Sequence, residues 1–199
     1  MEPHWNADRH ANSMLEHRLD LLGIKWPATA LGMALMLTLL GPIVIDLEQG
    51  LPLSLQSLLV CWLPLMFGWR AGVAGVLTYI LAGCLGLPVF AGHRAGIDVL
   101  AGPTGGYLMG MPVAALVLGT MATSSPMDDT DRQRYIRIAL GMLIGHVVIL
   151  ALGIPWQRKF DPSLDIPALL EALYKPALLK SAMGLLLSVM VMRATAPRA

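Results

Sequence analysis

Charged residues are scarce in this chain: 14% of its 199 residues are Asp, Glu, Lys or Arg, against about 25% in a typical soluble domain. Hydrophobic residues make up 56% of the sequence, and the mean hydropathy is +0.65. This balance argues against a soluble protein with one large core and indicates an integral membrane protein. The formal net charge of +1 argues against a nucleic-acid partner, which would require a basic surface.

Catalytic and metal-binding motifs are also missing. The sequence contains no phosphate-binding loop, no Gly-x-Ser-x-Gly nucleophile elbow and no His-Glu-x-x-His zinc motif. We therefore expect neither an enzyme nor a cofactor. Cysteine is limited to Cys61 and Cys84, both in apolar runs, which favours small core hydrophobes over a disulfide or a metal site. His4, His10 and His17 do not have the spacing of a compact metal site.

The apolar runs that are present predict an all-α membrane protein with six transmembrane helices, because one crossing needs about 20 apolar residues. Residues 1–25 are polar and predict a cytoplasmic N-terminal tail, residues 26–193 a six-helix membrane domain, and residues 194–199 a C-terminal tail. The expected spans are about 26–45, 53–69, 71–87, 105–122, 135–154 and 176–192, the last with a lead-in from Ala168.

The distribution of Lys and Arg predicts the orientation of these spans. Nine of the 14 basic residues fall on the side of the two termini and five on the other side. By the positive-inside rule, both termini are then cytoplasmic. The outer connections are residues 46–52, 88–104 and 155–175, and all three can close over one cavity.

A break rich in glycine and proline, at residues 86–96 and 102–107, separates the third and fourth runs. Non-helical backbone at membrane depth persists only where it is buried in protein or lines a wet cavity. Arg94 lies in this break and can hold a carboxylate through two hydrogen bonds. Asp98 follows four residues later, so a local ion pair that shapes the loop is equally open. The break is the first place to expect a ligand.

Lys180 is an ionisable residue inside the sixth run. If Pro176 is the first helical residue, Lys180 lies about 6 Å below the mouth of the span. A charge at that depth either faces protein or a water-filled cavity, or its ammonium reaches up to the headgroups.

Other polar or small residues in the runs have two readings each. Gln56 offers amide donors and an acceptor to a ureido-like ligand, or a helix-to-helix hydrogen bond. Tyr79 and Tyr107 either stack on a ligand ring or anchor at an interface. His146 lies mid-way along the fifth run and is more typical of a satisfied interior histidine than of a proton relay.

The first run carries small residues four apart, which let another helix approach closely. They are Ala30 with Ala34, and Ala28 with Gly32. Docking of a partner protein and packing inside this chain are both open from the spacing.

Three segments together resemble the BioY family, the biotin-binding membrane subunit (S component) of energy-coupling factor (ECF) transporters. They read LPLSLQSL at 51–58, GLPVFAG at 86–92 and GPTGGY at 102–107, and the resemblance covers about residues 26–193. It implies an ECF S-component-like fold and a biotin pocket near the outer face of a bacterial cytoplasmic membrane. It also implies a partner, an energy-coupling transmembrane subunit driven by two ABC-type ATPases, docked through Ala30 and Ala34.

The resemblance also implies roles for the site residues. Lys180 matches the lysine of the family's sixth-helix motif, whereas Ala177 stands where the family usually has an acid that accepts ureido N–H bonds. Lys180 first, and then Arg94, are expected to bind the biotin carboxylate. Gln56 is expected at the ureido end, with Asp98 or a loop carbonyl as substitutes for the acid, and Tyr79 and Tyr107 on the bicycle.

High-affinity binding and uptake of biotin is accordingly the function that we expect. Ala177 encourages an alternative in the same class, an S component for another small vitamin or a biotin precursor. A second alternative is a solitary biotin transporter that works without ATPase partners.

Overall fold

The computed structural model describes residues 25–47, 51–123 and 131–195. The predicted tail up to residue 24, with His4, His10 and His17, lies outside these ranges. The described residues form seven helices and one two-stranded hairpin. In chain order these are α1 (Lys25–Leu40), β1 (Val44–Leu47), β2 (Leu51–Ser54), α2 (Leu55–Phe67), α3 (Trp69–Cys84), α4 (Ile97–Ala101), α5 (Gly105–Thr123), α6 (Asp131–Arg158) and α7 (Ile166–Thr195).

The first helix ends at Leu40, five residues before the predicted end at Ile45. Pro42 explains the difference, because the residue before a proline is disfavoured in helical backbone. The chain then turns into the antiparallel β1–β2 hairpin, in which Val44 pairs with Ser54. The connection between the first two apolar runs is thus partly a β-hairpin, an element that the apolar pattern did not predict.

Gly68 separates α2 from α3 with a φ of +82°. Its N–H donates to Pro64 O at 2.9 Å and its carbonyl accepts from Gly72 N at 3.0 Å. One residue therefore ends one helix and starts the next, since glycine adopts positive φ without the steric cost of a Cβ atom. The predicted division between the second and third runs is confirmed to within two residues.

Three of the described helices, α5, α6 and α7, are long and apolar enough to cross a membrane, and α1, α2 and α3 are apolar but shorter. The α5 bounds match the prediction closely, whereas α6 extends beyond both predicted ends. Helix α7 begins at Ile166, within two residues of the lead-in predicted from Ala168, so Pro176 lies inside the helix and is not its first residue. A buried proline is tolerated in a membrane helix when neighbouring groups satisfy the freed backbone.

Small residues of α1 pack inside the protein. Ala30 and Ala34 are buried, and a Cβ atom added at Gly75 of α3 would lie 2.9 Å from Ala30 O. Ala30 and Ala34 therefore form the α1–α3 contact in this structure, which is one of the two uses that their spacing left open; that they dock a partner stays a prediction. The exposed small residues of α1 are Ala28 and Gly32.

The core continues from this contact through α2 to α7. Cys61 of α2 is fully buried, as expected for a small core hydrophobe. Trp62 Nε1 donates to Ser188 Oγ at 2.8 Å and ties α2 to α7. These contacts hold α2 and α7 side by side, with a space between them at the end where β2 and the loop after α3 lie.

The glycine-rich break is an ordered loop held by backbone hydrogen bonds. Phe90 N donates to Arg94 O at 3.1 Å, Gly92 N to Pro42 O at 3.1 Å and Gly96 N to Gly83 O at 2.8 Å. Val89 and Phe90 are buried beneath it. The loop therefore meets the requirement that irregular backbone at membrane depth be satisfied within the protein.

Candidate functional site

A cavity of about 210 Å³ lies between α2, α5, α6, α7 and the glycine-rich loop. This is small for a ligand cavity, for which roughly 300–1,000 Å³ is usual, and it favours a small molecule over a peptide. Its lining is largely apolar with a few polar groups: Ser54, Gln56, Ser57, Phe90, Ala91, Arg94, Val99, Thr104, Tyr107, Leu108, Met111, His146, Ile149, Leu150, Leu173, Pro176, Ala177 and Lys180.

Lys180 lines this cavity from α7 and is 8% exposed. Its Nζ donates to Ser57 Oγ of α2 at 2.9 Å. The side chain thus points across the helix interface instead of reaching toward headgroups, which decides between the two readings of its sequence position. An ammonium has three donors, so one hydrogen bond to a neutral hydroxyl leaves capacity for an anion.

Gln56 lines the cavity from α2 and is 3% exposed. Its Nε2 donates to Met111 Sδ of α5 at 3.3 Å. A thioether is a weak acceptor, so this contact places the amide without using its full hydrogen-bonding capacity. Gln56 therefore bridges two helices and also borders the cavity; its contact with a ureido-like ligand stays a prediction.

Arg94 also lines the cavity, but from the loop, and its side chain is exposed. Its Nε donates to Ala91 O at 3.2 Å. Within residues 51–123, no ion pair joins Arg94 to Asp98, which is exposed in the first turn of α4. The local ion pair is thus not what shapes the loop, and Asp98 is not among the described residues that line the cavity.

The two tyrosines have different positions. Tyr107 lines the cavity, and its hydroxyl donates to Gln157 Oε1 at 2.7 Å. Tyr79 is fully buried outside the described lining, with its ring edge-on to Phe90 at 5.8 Å between centroids. Its hydroxyl donates to Val89 O at 2.9 Å. Tyr79 therefore contacts the loop through Val89 and Phe90, and of these two residues Phe90 lines the cavity.

Substitution of Tyr79 by Phe is expected to lower the free energy of unfolding by about 1–3 kcal/mol, because Val89 O loses its donor in a buried place. Thermal unfolding of the detergent-solubilised protein measures the change. Tyr174→Phe is the control, since Tyr174 is an exposed tyrosine on α7. Equal unfolding temperatures for wild type and Tyr79→Phe would show that this hydrogen bond does not hold the loop.

Sequence reasoning did not single out Ser57, and it gave little weight to His146. Both line the cavity. Ser57 directly follows Gln56 in the sequence, and nothing in the sequence pattern indicated that Ser57 contacts Lys180. His146 was visible as a polar residue mid-way along an apolar run, which was the available signal for an interior site.

The pattern that describes the BioY family matches residues 15–199. A "Biotin transporter BioY" of Rhodobacter capsulatus is 37% identical over 147 residues, which is 70% of this chain and 68% of that protein. A "Probable biotin transporter BioY" of Pyrococcus horikoshii is 35% identical over 109 residues, 55% of this chain and 60% of that protein.

Another sequence match covers a smaller share of the chain, whereas a structural match covers a larger share. The match to a "Biotin transporter BioY" of Thermotoga maritima is 45% identical but spans 71 residues, which is 42% of that protein. A solved S-component for biotin from an ECF-type ABC transporter superposes with a TM-score of 0.63 and 18% identity, over 84% of this chain and 92% of that one. The structural match shows a shared fold. The family match covers most of the sequence of this multi-pass membrane protein. The chain belongs to the BioY family.

Proposed function

We propose that this chain binds biotin at the outer side of the cytoplasmic membrane and passes it inward when partner ATPases supply energy. One observation carries the proposal: a small, mostly apolar cavity contains a buried ammonium that has hydrogen-bonding capacity to spare. Biotin combines an apolar thioether bicycle with a carboxylate tail and a ureido group, so its chemistry matches such a lining. Membership of a family whose relatives are named biotin transporters supports the same ligand.

Four of the lining residues have proposed roles toward biotin. Lys180 binds the carboxylate, because a buried ammonium needs an anionic partner. Arg94, on the loop, is the second cation for the same group. Gln56 faces the ureido end with its unused amide capacity, and Tyr107 packs on the bicycle. No bond in the ligand is made or broken.

The proposed topology has six membrane-crossing helices, α1, α2, α3, α5, α6 and α7, with both termini in the cytoplasm. The excess of Lys and Arg on the side of the termini supports this orientation. Helices α1 to α3 have 13 to 16 residues, fewer than the roughly 20 that span a bilayer. Local thinning of the bilayer around short helices accommodates such a difference at modest cost.

Direct binding of biotin to the purified full chain tests the ligand. We expect saturable binding that excess unlabelled biotin displaces and that an unrelated vitamin such as thiamin does not. A cooperative thermal transition would show that the purified protein is folded. If biotin does not change that transition and the folded protein retains no ligand, the proposal is refuted.

Uptake into cells tests the partners. The proposal includes an energy-coupling transmembrane subunit and two ABC-type ATPases. We expect uptake of biotin to cease when the ATPases are inactivated, with binding to the membrane retained. Uptake that survives without the partners and collapses with the ion gradient would instead favour a solitary transporter.

A second candidate is an S component for another small vitamin or a biotin precursor. The observation in its favour is Ala177, which lines the cavity. Ala177 has a methyl group at the position where the BioY sixth-helix motif usually has an acid. Competition between biotin and desthiobiotin separates the two, because desthiobiotin keeps the ureido group and the carboxylate but lacks the sulfur. Tighter binding of the precursor would favour this candidate.

A further inference from the structure

His146 is a buried polar side chain with one ring nitrogen unused. It lies on α6, lines the cavity and is 6% exposed. Its Nδ1 lies 2.7 Å from Met142 O, one turn back on the same helix. Its Nε2 is buried and has no hydrogen-bond partner among the described residues.

The Met142 contact assigns the ring tautomer. A carbonyl oxygen only accepts, so Nδ1 must carry the proton that bridges the 2.7 Å to Met142 O. In a neutral imidazole, a proton on Nδ1 leaves Nε2 as an acceptor. Nε2 is then an open acceptor on a residue that lines the cavity. An orphaned buried acceptor of this kind lowers the stability of the protein unless a ligand satisfies it.

We propose that His146 Nε2 accepts a hydrogen bond from a ureido N–H of the bound ligand and thereby selects for a cyclic urea. This inference rests on the proposed function for the identity of the ligand. Biotin presents its carboxylate, its sulfur and its ureido carbonyl as acceptors, and none of them can pair with another acceptor. The two ureido N–H groups are its only donors. The ureido ring therefore lies against α6 at His146.

Ligand discrimination is the test, because a merely structural role for His146 would not change it. The probes are biotin, two lactam analogues and biotin carboxamide. In each lactam a methylene replaces one of the two ureido N–H groups, and biotin carboxamide changes only the carboxylate end. Wild type is expected to bind one lactam about 5- to 20-fold more weakly than biotin, the effect of one hydrogen bond in a buried site. His146→Phe, which keeps a ring without an acceptor, is expected to bind that lactam at least as tightly as biotin, because the ureido N–H of biotin then has no acceptor. The affinity ratio of biotin to biotin carboxamide should stay as in wild type.

A second variant and a measurement on wild type protect the test against misfolding of His146→Phe. His146→Gln places a carbonyl oxygen near the Nε2 position and is expected to restore the discrimination. In wild type with ¹⁵N-labelled histidine, the Nε2 resonance that His146→Gln removes should shift when biotin binds and stay in place with the discriminated lactam.

Three results would overturn the inference. Full lactam discrimination in a folded His146→Phe would remove His146 from ureido recognition. A change in the affinity ratio of biotin to biotin carboxamide in His146→Phe would show that His146 acts on the carboxylate end of the ligand instead. Wild type that binds no biotin at all would refute the proposed function itself. This result can be distinguished from normal biotin binding that does not depend on His146, which would refute only the role of His146.

Discussion

Replacement of Lys180 by Met is expected to weaken biotin binding by about 10- to 150-fold. The lost interaction is a hydrogen bond between two charged groups in a buried place, which contributes about 1.5–3 kcal/mol. Methionine keeps the unbranched stem that packs between α2 and α7, so the cavity retains its shape. Isothermal titration or equilibrium dialysis on the purified protein measures the dissociation constant.

Two controls make this result specific to the carboxylate. Lys175→Met removes an exposed lysine of the same helix and is expected to leave the affinity unchanged. Biotin carboxamide should bind wild type more weakly than biotin, and the difference should be smaller in Lys180→Met, because the carboxylate has then lost one of its two proposed cations. A constant ratio of the two affinities in wild type and variant would show that Lys180 does not contact the carboxylate.

A methyl group at Gly106 is expected to lower the free energy of unfolding by about 1–3 kcal/mol, the usual cost of overpacking a close contact. In Gly106→Ala the new Cβ would overlap the Trp156 side chain and stand 2.7 Å from Leu152 O. Helix α6 would have to move away from α5. Ligand affinity should fall as well, because Trp156 Nε1 donates to Gly102 O at 2.9 Å and so positions the loop beside the cavity.

Gly32→Ala is the matched control for Gly106→Ala. A Cβ atom at Gly32 meets nothing within 4 Å, and alanine favours a helix by about 1 kcal/mol over glycine. This variant should unfold at the same or a higher temperature than wild type. Equal stability of the two variants would contradict the close α5–α6 contact.

Sequence patterns predicted the positions of the helices well because long apolar runs and their breaks are local features. Gly68 marks the division between α2 and α3, and the start of α5 at Gly105 coincides with the end of the glycine-rich segment. Pro176 marks the start of the predicted sixth span, but α7 already begins at Ile166, near the predicted lead-in from Ala168. Proline is favoured in a first helical turn but is also tolerated inside a membrane helix, so Pro176 alone does not show where the helix starts.

Side-chain partners were beyond the reach of the pattern because they depend on how the helices rotate against each other. The two small pairs of α1 have the same spacing, and only packing against Gly75 determines that Ala30 and Ala34 face inward. Tyr79 and Tyr107 are likewise similar in sequence context, yet one supports the loop and the other borders the cavity. The free nitrogen of His146 depends on a rotamer and a tautomer, neither of which has a sequence signature.

The hydrogen bonds of the glycine-rich loop have a consequence for how the family diversifies. The bonds of Phe90, Gly92 and Gly96 run from backbone to backbone, so they do not depend on which side chains the loop carries. The side chain of Ala91, which lines the cavity, can then change without breaking any of these three bonds, whereas a change of Arg94 would remove only its own bond to Ala91 O. Evolution of a new ligand preference at this loop therefore requires no new fold, only new side chains on an unchanged frame.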